Sequence, residues 1–400
     1  MKIDSFQKRI GMKNDNPESI ANKGTIIFCI AFSVYLASQM FSASMFGIMN
    51  IGSLLIKIAK YGAYALMLWK IVVETRYSSG QVIRYIICAM EILAVYHFTG
   101  NKTLIFLFLI VIAMSDLKFS SILKTYMWTN GICMFVIILF RTFELIPARN
   151  DFTETRSRYA LGFDFVTTGA NYWMYLVLAY ICYRKKKLTL AEAIILEVIT
   201  YVFFLFTDTK NAFAITTIAI VMAMVLKIWN GKFGRYIFSF FIKYITLIGA
   251  ALISLLTFYY DKNTFVSETI NELLTNRVSL TYDAVQKYGI KLFGQAIEWI
   301  GGGIFYEKEY VEYNYVDSSY MQILLSYGIV LLIVILVGYF LLGRIIVKEK
   351  AWYLGLVIAL SAVHSTFDPQ LLWVQYNVYL LALGYLLIPD KEKRQQLLFG

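Results

Sequence analysis

The sequence predicts an all-α polytopic membrane protein, a single bundle of about 12 transmembrane helices over residues 1–400. A large extracytoplasmic loop containing short amphipathic helices is expected between helices 9 and 10. Three observations lead there. The 400 residues are 59% hydrophobic and 16% charged, with a mean hydropathy of +0.63, whereas soluble domains carry about 25% charged residues. The apolar residues form continuous runs near the roughly 20 residues that a bilayer requires, not the alternating segments of a β-barrel. Lysine and arginine concentrate in alternate connections, on one side of those runs, as the positive-inside rule demands.

The N-terminal stretch MKIDSFQKRIGMKNDNPESIANKG is polar for too long to be a secretory signal, so the first apolar run is expected to be retained. Apolar runs then follow at 25–45, 52–73, 82–98, 103–115, 122–141, 169–183, 189–207, 211–229, 236–259, 319–342, 351–366 and 371–388. With both termini and alternate connections assigned to one side, that side holds twenty-three Lys and Arg. The other side holds eleven, and Lys57, Lys60 and Lys243 fall inside runs. The basic side is therefore expected to be cytoplasmic, with outer loops at 142–168 and 260–318. The net charge of +11 follows from this asymmetry and implies no nucleic-acid partner. Cys29, Cys88, Cys133 and Cys182 all lie in apolar runs without metal-like spacing, which predicts small core residues rather than disulfides.

The loop at 260–318 is the long polar interval of the chain. Within it Val266, Ile270, Leu273 and Leu274 recur with helical period, with Ser267 or Thr264 as the cap. A second helix is expected over 280–288, stopping at Gly289. The three glycines from Gly301 to Gly303 break the chain before an acidic rim of Glu307, Glu309, Glu312 and Asp317. Both helices are expected to lie on the outer surface and cap the bundle as a lid. Asp368-Pro369 marks the last outer turn.

The chain lacks a P-loop, HExxH, GxSxG, a dinucleotide fingerprint and an Asp-x-Asp clamp. Its two histidines, His97 and His364, are too few for a His-rich metal site. No cofactor or metal is expected. Outside the membrane an enzyme needs a substrate that carries its own activation energy, such as a lipid-linked diphosphate sugar. That chemistry needs a cation for the departing diphosphate, where the arginine fork suits phosphate, and a base near the attacking hydroxyl. The cations on the outer side are Arg156, Arg158 and Arg277; the bases are Asp283, Asp317, His364 and Asp368. Lys57 and Lys60, one turn apart inside a run, are placed to reach a lipid diphosphate. Tyr282 and Tyr320 are candidates for stacking on sugar, although interfacial anchoring explains most outer tyrosines. Glu91, deep in a run, keeps a proton-coupled transporter open as a reading.

Three stretches carry a family resemblance: RSRYALGFDF (156–165), NRVSLTYDAVQKYGIKLFG (276–294) and YVDSSYMQILLSYGIV (315–330). With the spans and the late outer loop, they resemble the Wzy-type O-antigen and capsular polysaccharide polymerases, relatives of the O-antigen ligases. Members of that family often continue LGF with His-Pro-Asn, where this chain has Asp164-Phe165-Val166-Thr167-Thr168. The resemblance implies a bacterial cytoplasmic (inner) membrane enzyme that joins undecaprenyl-diphosphate-linked repeat units on the outer leaflet without a metal. Its implied partners are the lipid-linked oligosaccharide, a chain-length regulator and a flippase. It implies Arg156, Arg158 and Arg277 as phosphate or sugar contacts and His364 as a base. Together with the reading of the residues, the expected catalytic groups are Arg158, Arg277, His364 and Asp283, and the expected substrate contacts are Arg156, Asp317, Tyr282, Tyr320, Lys57 and Lys60. Ligase-type glycan transfer and a non-enzymatic flippase or transporter are the alternatives.

Overall fold

The structure, a computed structural model, describes residues 17–152, 156–229, 231–301 and 313–400. The chain is mostly helical. In order come α1 (Pro17–Ser42), α2 (Asn50–Trp69), α3 (Ser79–Thr99), α4 (Thr103–Ala113) and α5 (Phe119–Thr142). A hairpin of β1 (Asn150–Phe152) and β2 (Ser157–Tyr159) follows. Then come α6 (Thr168–Arg184), α7 (Leu190–Thr207), α8 (Lys210–Ile228) and α9 (Lys232–Phe258). The large loop holds α10 (Phe265–Leu273) and α11 (Arg277–Tyr288), before α12 (Ser319–Lys348), α13 (Trp352–His364) and α14 (Lys391–Phe399). Among the described residues, seven helices are long and apolar enough to cross a membrane, and α4 and α13 are shorter apolar helices.

Helix contacts tie α1 to α2 and α5, α9 to α12 and α13, and α8 to α6, α7 and α13. Polar contacts gather at two ends. At the basic end, Arg84 donates to Leu386 O at 3.0 Å, and Lys70, wholly buried, pairs with Asp116 and donates to Ala113 O at 2.6 Å. There too, α7 starts with a capping box between Thr189 and Glu192, and Arg184 joins Glu192 at 2.7 Å. The other end carries the hairpin and the large loop.

The run at 371–388 departs from expectation. It is not an α-helix but a succession of turns followed by a 3₁₀ helix over Val378–Leu387. The 3₁₀ rise of about 2.0 Å per residue lets ten residues cover about 20 Å. Asn377 anchors its start by donating to Leu371 O at 2.9 Å. Carbonyls freed by non-helical backbone meet tyrosine hydroxyls instead: Tyr126 donates to Tyr376 O at 2.6 Å and Tyr385 to Leu117 O at 2.8 Å. The core is thus rich in tyrosines that a reading of interfacial anchors overlooks: Tyr126, Tyr172, Tyr175, Tyr379 and Tyr385 are all fully buried.

The large loop is joined to α12 at one tight crossing. Gly294 and Gly328 have φ of +81° and +91°, and a Cβ on Gly328 would stand 2.3 Å from Leu292 O. This close approach lets Ile329 N donate to Lys291 O at 3.1 Å and Gln295 N to Ser326 O at 3.2 Å. Both positions require glycine for conformation and for space. The acidic residues Glu307, Glu309 and Glu312 lie outside the described residues.

Candidate functional site

The hairpin carries Arg156 and Arg158. Arg158 stands opposite Asp151 in the antiparallel register and pairs with it at 3.6 Å. Both guanidinium groups then turn to the end of α7. Arg158 Nε donates to Thr207 O at 2.9 Å, Arg156 donates to Asp208 O at 3.0 Å, and Arg156 also pairs with the Asp208 carboxylate. A helix C-terminus leaves carbonyls unsatisfied and favours cations, so these arginines fasten the hairpin to the α7–α8 turn. The LGF that follows is a docking element. Gly162, at φ +92°, is hemmed in by Ile137 and Arg141, and its carbonyl accepts from Met45 N at 2.9 Å. Phe163 is fully buried against Gly169 and Tyr172.

The α7–α8 turn leads to Asn211, whose Nδ2 donates to Asp368 Oδ2 at 2.6 Å and lies 3.0 Å from His364 Nδ1. His364 Nε2 lies 3.1 Å from Gln370 Oε1. A neutral imidazole with its proton on Nε2 satisfies both partners: it accepts from Asn211 and donates to Gln370. His364 is fully buried with both nitrogens engaged, so it shapes the turn between α13 and the following segment rather than facing a ligand. That turn presents Phe367 O to Arg277, which donates to it at 2.6 Å, while Arg277 Nε meets Asp317 Oδ2 at 3.2 Å. Ser319 Oγ locks the same turn, donating to Asp368 O at 2.5 Å and accepting from Leu371 N at 3.0 Å.

Arg277 and Asp317, at 28% and 24% exposure, are more accessible than His364 and Asp368. Burial pushes the Asp317 carboxyl up to about 6; Arg277 opposes that shift and Asp368 reinforces it. The pair is thus a guanidinium with N–H donors to spare beside a carboxylate whose proton affinity suits proton transfer near neutral pH. No family model, curated protein or solved structure matches the chain. The chemistry of this end therefore rests on its own geometry.

Next to the pair along the chain lies a cavity of about 760 Å³, lined by Tyr315 and Ser319 on either side of Asp317 but not by Arg277 or Asp317 themselves. Its walls come from the α3–α4 turn (Thr99, Asn101), the extended segment after α11 (Gln295, Trp299), the first turns of α12 (Ser319, Gln322, Ser326) and Trp373. Tyr315, two residues before Asp317, also lines it. Trp299 Nε1 donates to Ser326 Oγ at 2.9 Å, and Asn314 braces the wall through Ile300 N at 2.7 Å and the Tyr288 hydroxyl at 2.9 Å.

The structure therefore gathers part of the expected set and disperses the rest. Arg277, Asp317, His364 and Asp368 belong to one network, and Arg156 and Arg158 connect to it through the α7–α8 turn. Asp283 does not join it: its carboxylate pairs with Lys262 at 3.5 Å, and both side chains are more than half exposed. Tyr320 is no ligand contact, because it is fully buried and donates to Ala362 O at 2.9 Å. Tyr282 packs on Tyr260 at 5.5 Å between ring centres. Lys57 lies exposed on α2 while Lys60, one turn on, lines a second cavity. Cys133 and Cys182 are buried, Cys29 and Cys88 are half-buried, and all four are free. Asn211, Gln370 and Ser319 were missed, since nothing marks an amide or a hydroxyl at a helix end as functional until its partners are known.

Proposed function

We propose that this protein is a membrane glycosyltransferase that polymerises undecaprenyl-diphosphate-linked oligosaccharide repeat units on the outer face of a bacterial cytoplasmic membrane. In this reading twelve segments cross the bilayer, both termini are cytoplasmic and the end carrying the hairpin and large loop is extracytoplasmic. Two facts support the topology: the lysine and arginine asymmetry and polar contacts that gather at alternate ends of successive helices. The observation that carries the function is the Arg277–Asp317 pair, half-buried beside a cavity within the size range of small-molecule sites.

The chemistry follows from that pair. The donor's diphosphate approaches Arg277 and competes with Asp317 for its N–H groups. As the bond between the anomeric carbon and the diphosphate oxygen breaks, negative charge grows on the leaving group, and Arg277 stabilises it. Asp317, released from Arg277, gains proton affinity and takes the proton of the attacking sugar hydroxyl, whose oxygen forms the new glycosidic bond. Arg156, Arg158 and His364 hold the turns that frame the pair.

The test is Arg277→Ala in the producing cell, read as surface glycan length with the protein's abundance monitored. Removing one such donor costs on the order of 10²- to 10³-fold in rate, so long chains should vanish and single-unit glycan accumulate. Long chains at normal levels contradict the reading, and build-up of full-length lipid-linked polymer points to a ligase.

A further inference from the structure

Behind the first cavity is a second of about 280 Å³, lined by Lys60, Tyr35, Gln39, Tyr64 and Gln375. The two share Thr103, Leu372 and Trp373, so a single wall separates them. Lys60 lies ten residues into α2, about 15 Å along the helix from its start at the loop end. Among the described residues Lys60 forms no ion pair; Lys70, just past the end of α2, does, with Asp116. An ammonium at that depth is costly unless it faces a polar cavity or a partner, and it marks a functional position by default.

The lining points to a chemical class. The walls of the first cavity combine indole and phenol faces (Trp299, Trp373, Tyr315, Tyr327) with side-chain amides (Asn101, Gln295, Gln322), hydroxyls and one exposed carboxylate, Glu298. Aromatic faces suit the apolar faces of sugar rings, and amides both donate to and accept from hydroxyls. Phosphate alone would want several cations, and an acyl chain would want no amides. The second cavity adds a single unpaired cation beyond the shared tryptophan.

We infer that the two cavities form one saccharide-binding site, with sugar rings held between Trp299 and Trp373 and an anionic substituent of the saccharide bound by Lys60. This rests on the polymerase reading and deepens it: the site takes an acidic oligosaccharide, and Lys60 sets that specificity. The anion is a carboxylate or a phosphate carried by the sugar.

The probe is the repeat-unit oligosaccharide released by mild acid from the producing cell's own lipid-linked glycans, titrated against detergent-purified full-length protein with tryptophan fluorescence as the signal. It is compared with the same oligosaccharide after carboxyl reduction or dephosphorylation, and with undecaprenyl phosphate. Neutralising the sugar should weaken binding about tenfold, the value of one charged contact near 1.4 kcal/mol. Lys60→Gln should weaken binding of the acidic form alike and abolish the difference between the two forms. Trp373→Phe should leave binding within a few fold and Trp373→Ala should lose most of it. Equal binding of both forms, a repeat unit with no acidic group, or undisturbed binding in Lys60→Gln each overturns the inference. Lys60-dependent binding of undecaprenyl phosphate that the oligosaccharide does not displace overturns it too, because the cation then serves the lipid. Failure here with loss of polymer in Arg277→Ala removes this inference alone; persistent polymer in Arg277→Ala removes the reading beneath it.

Discussion

Two cation–carboxylate pairs, one at each end of the bundle, share a chemistry and differ in what surrounds them. Lys70–Asp116 sits at the basic end with its ammonium wholly buried and donating to Asp116 and Ala113 O. Arg277–Asp317 sits at the loop end, about a quarter exposed on each side, beside a cavity of about 760 Å³. The first pair hides its cation from any ligand, with only the Asp116 carboxylate 27% exposed, and ties the end of α2 to the α4–α5 connection. The second holds N–H donors in reserve and a carboxyl poised at about 6. A charge in a membrane bundle marks function only when its partners leave it something to do.

The largest expected effect separates the pairs by stability. Asp116→Ala strands a buried ammonium, which costs about 3–5 kcal/mol, and thermal unfolding in detergent should shift down accordingly. Lys70→Met combined with Asp116→Leu should recover most of that loss and leave glycan length normal. A double variant that folds yet makes no polymer would break the contrast. Next comes the crossing that seats the loop: Gly328→Ala places a Cβ against Leu292 O at φ +91°, a strain of about 1–3 kcal/mol. Increased protease cleavage within 260–318, with α12 intact, should follow; unchanged resistance would show that the crossing does not hold the loop.

Arg277→Lys is subtler. It keeps the charge and loses the fork that serves Phe367 O and Asp317 together, so chains should shorten at normal protein abundance. Chains of normal length would reduce the arginine to a point charge. Smallest is the pH effect. Asp317 titrates at about 6, above its ordinary 3.8, so its neutral form is favoured by folding. The stability it lends is complete below about 3.8 and fades as pH rises through about 6. Activity runs the opposite way, because the base works ionised, and it should fall as pH drops below about 6. Asp317→Asn should flatten the stability slope and abolish activity; an unchanged acid limb in an active variant would assign the titration elsewhere.

The helical bundle was legible because bilayer-length apolar runs have few alternatives. The 3₁₀ segment at 378–387 was not, since a mostly buried, continuously apolar run has no period by which to tell one helix type from another. Gly289 was readable as a helix stop because it acts locally, at φ +64° after Tyr288. Gly294 and Gly328 each looked ordinary; their meaning is a contact between positions thirty-four residues apart. The same holds for the site. Arg277 and Asp317 stood out as charges in the loop at 260–318, but the pairing of Asp283 with Lys262 and the enclosure of His364 depend on tertiary neighbours. The hairpin was missed because strands of three residues carry almost no alternation to read.

The most direct test of the contrast is the intact lipid-linked glycan profile of two strains made side by side, one with Arg277→Ala and one with Lys70→Met/Asp116→Leu, at matched protein abundance. The expected outcome is single repeat units on lipid and no long chains in the first, and a normal ladder in the second. Normal ladders in both strains, or loss in both, would contradict the assignment of function to the loop-end pair.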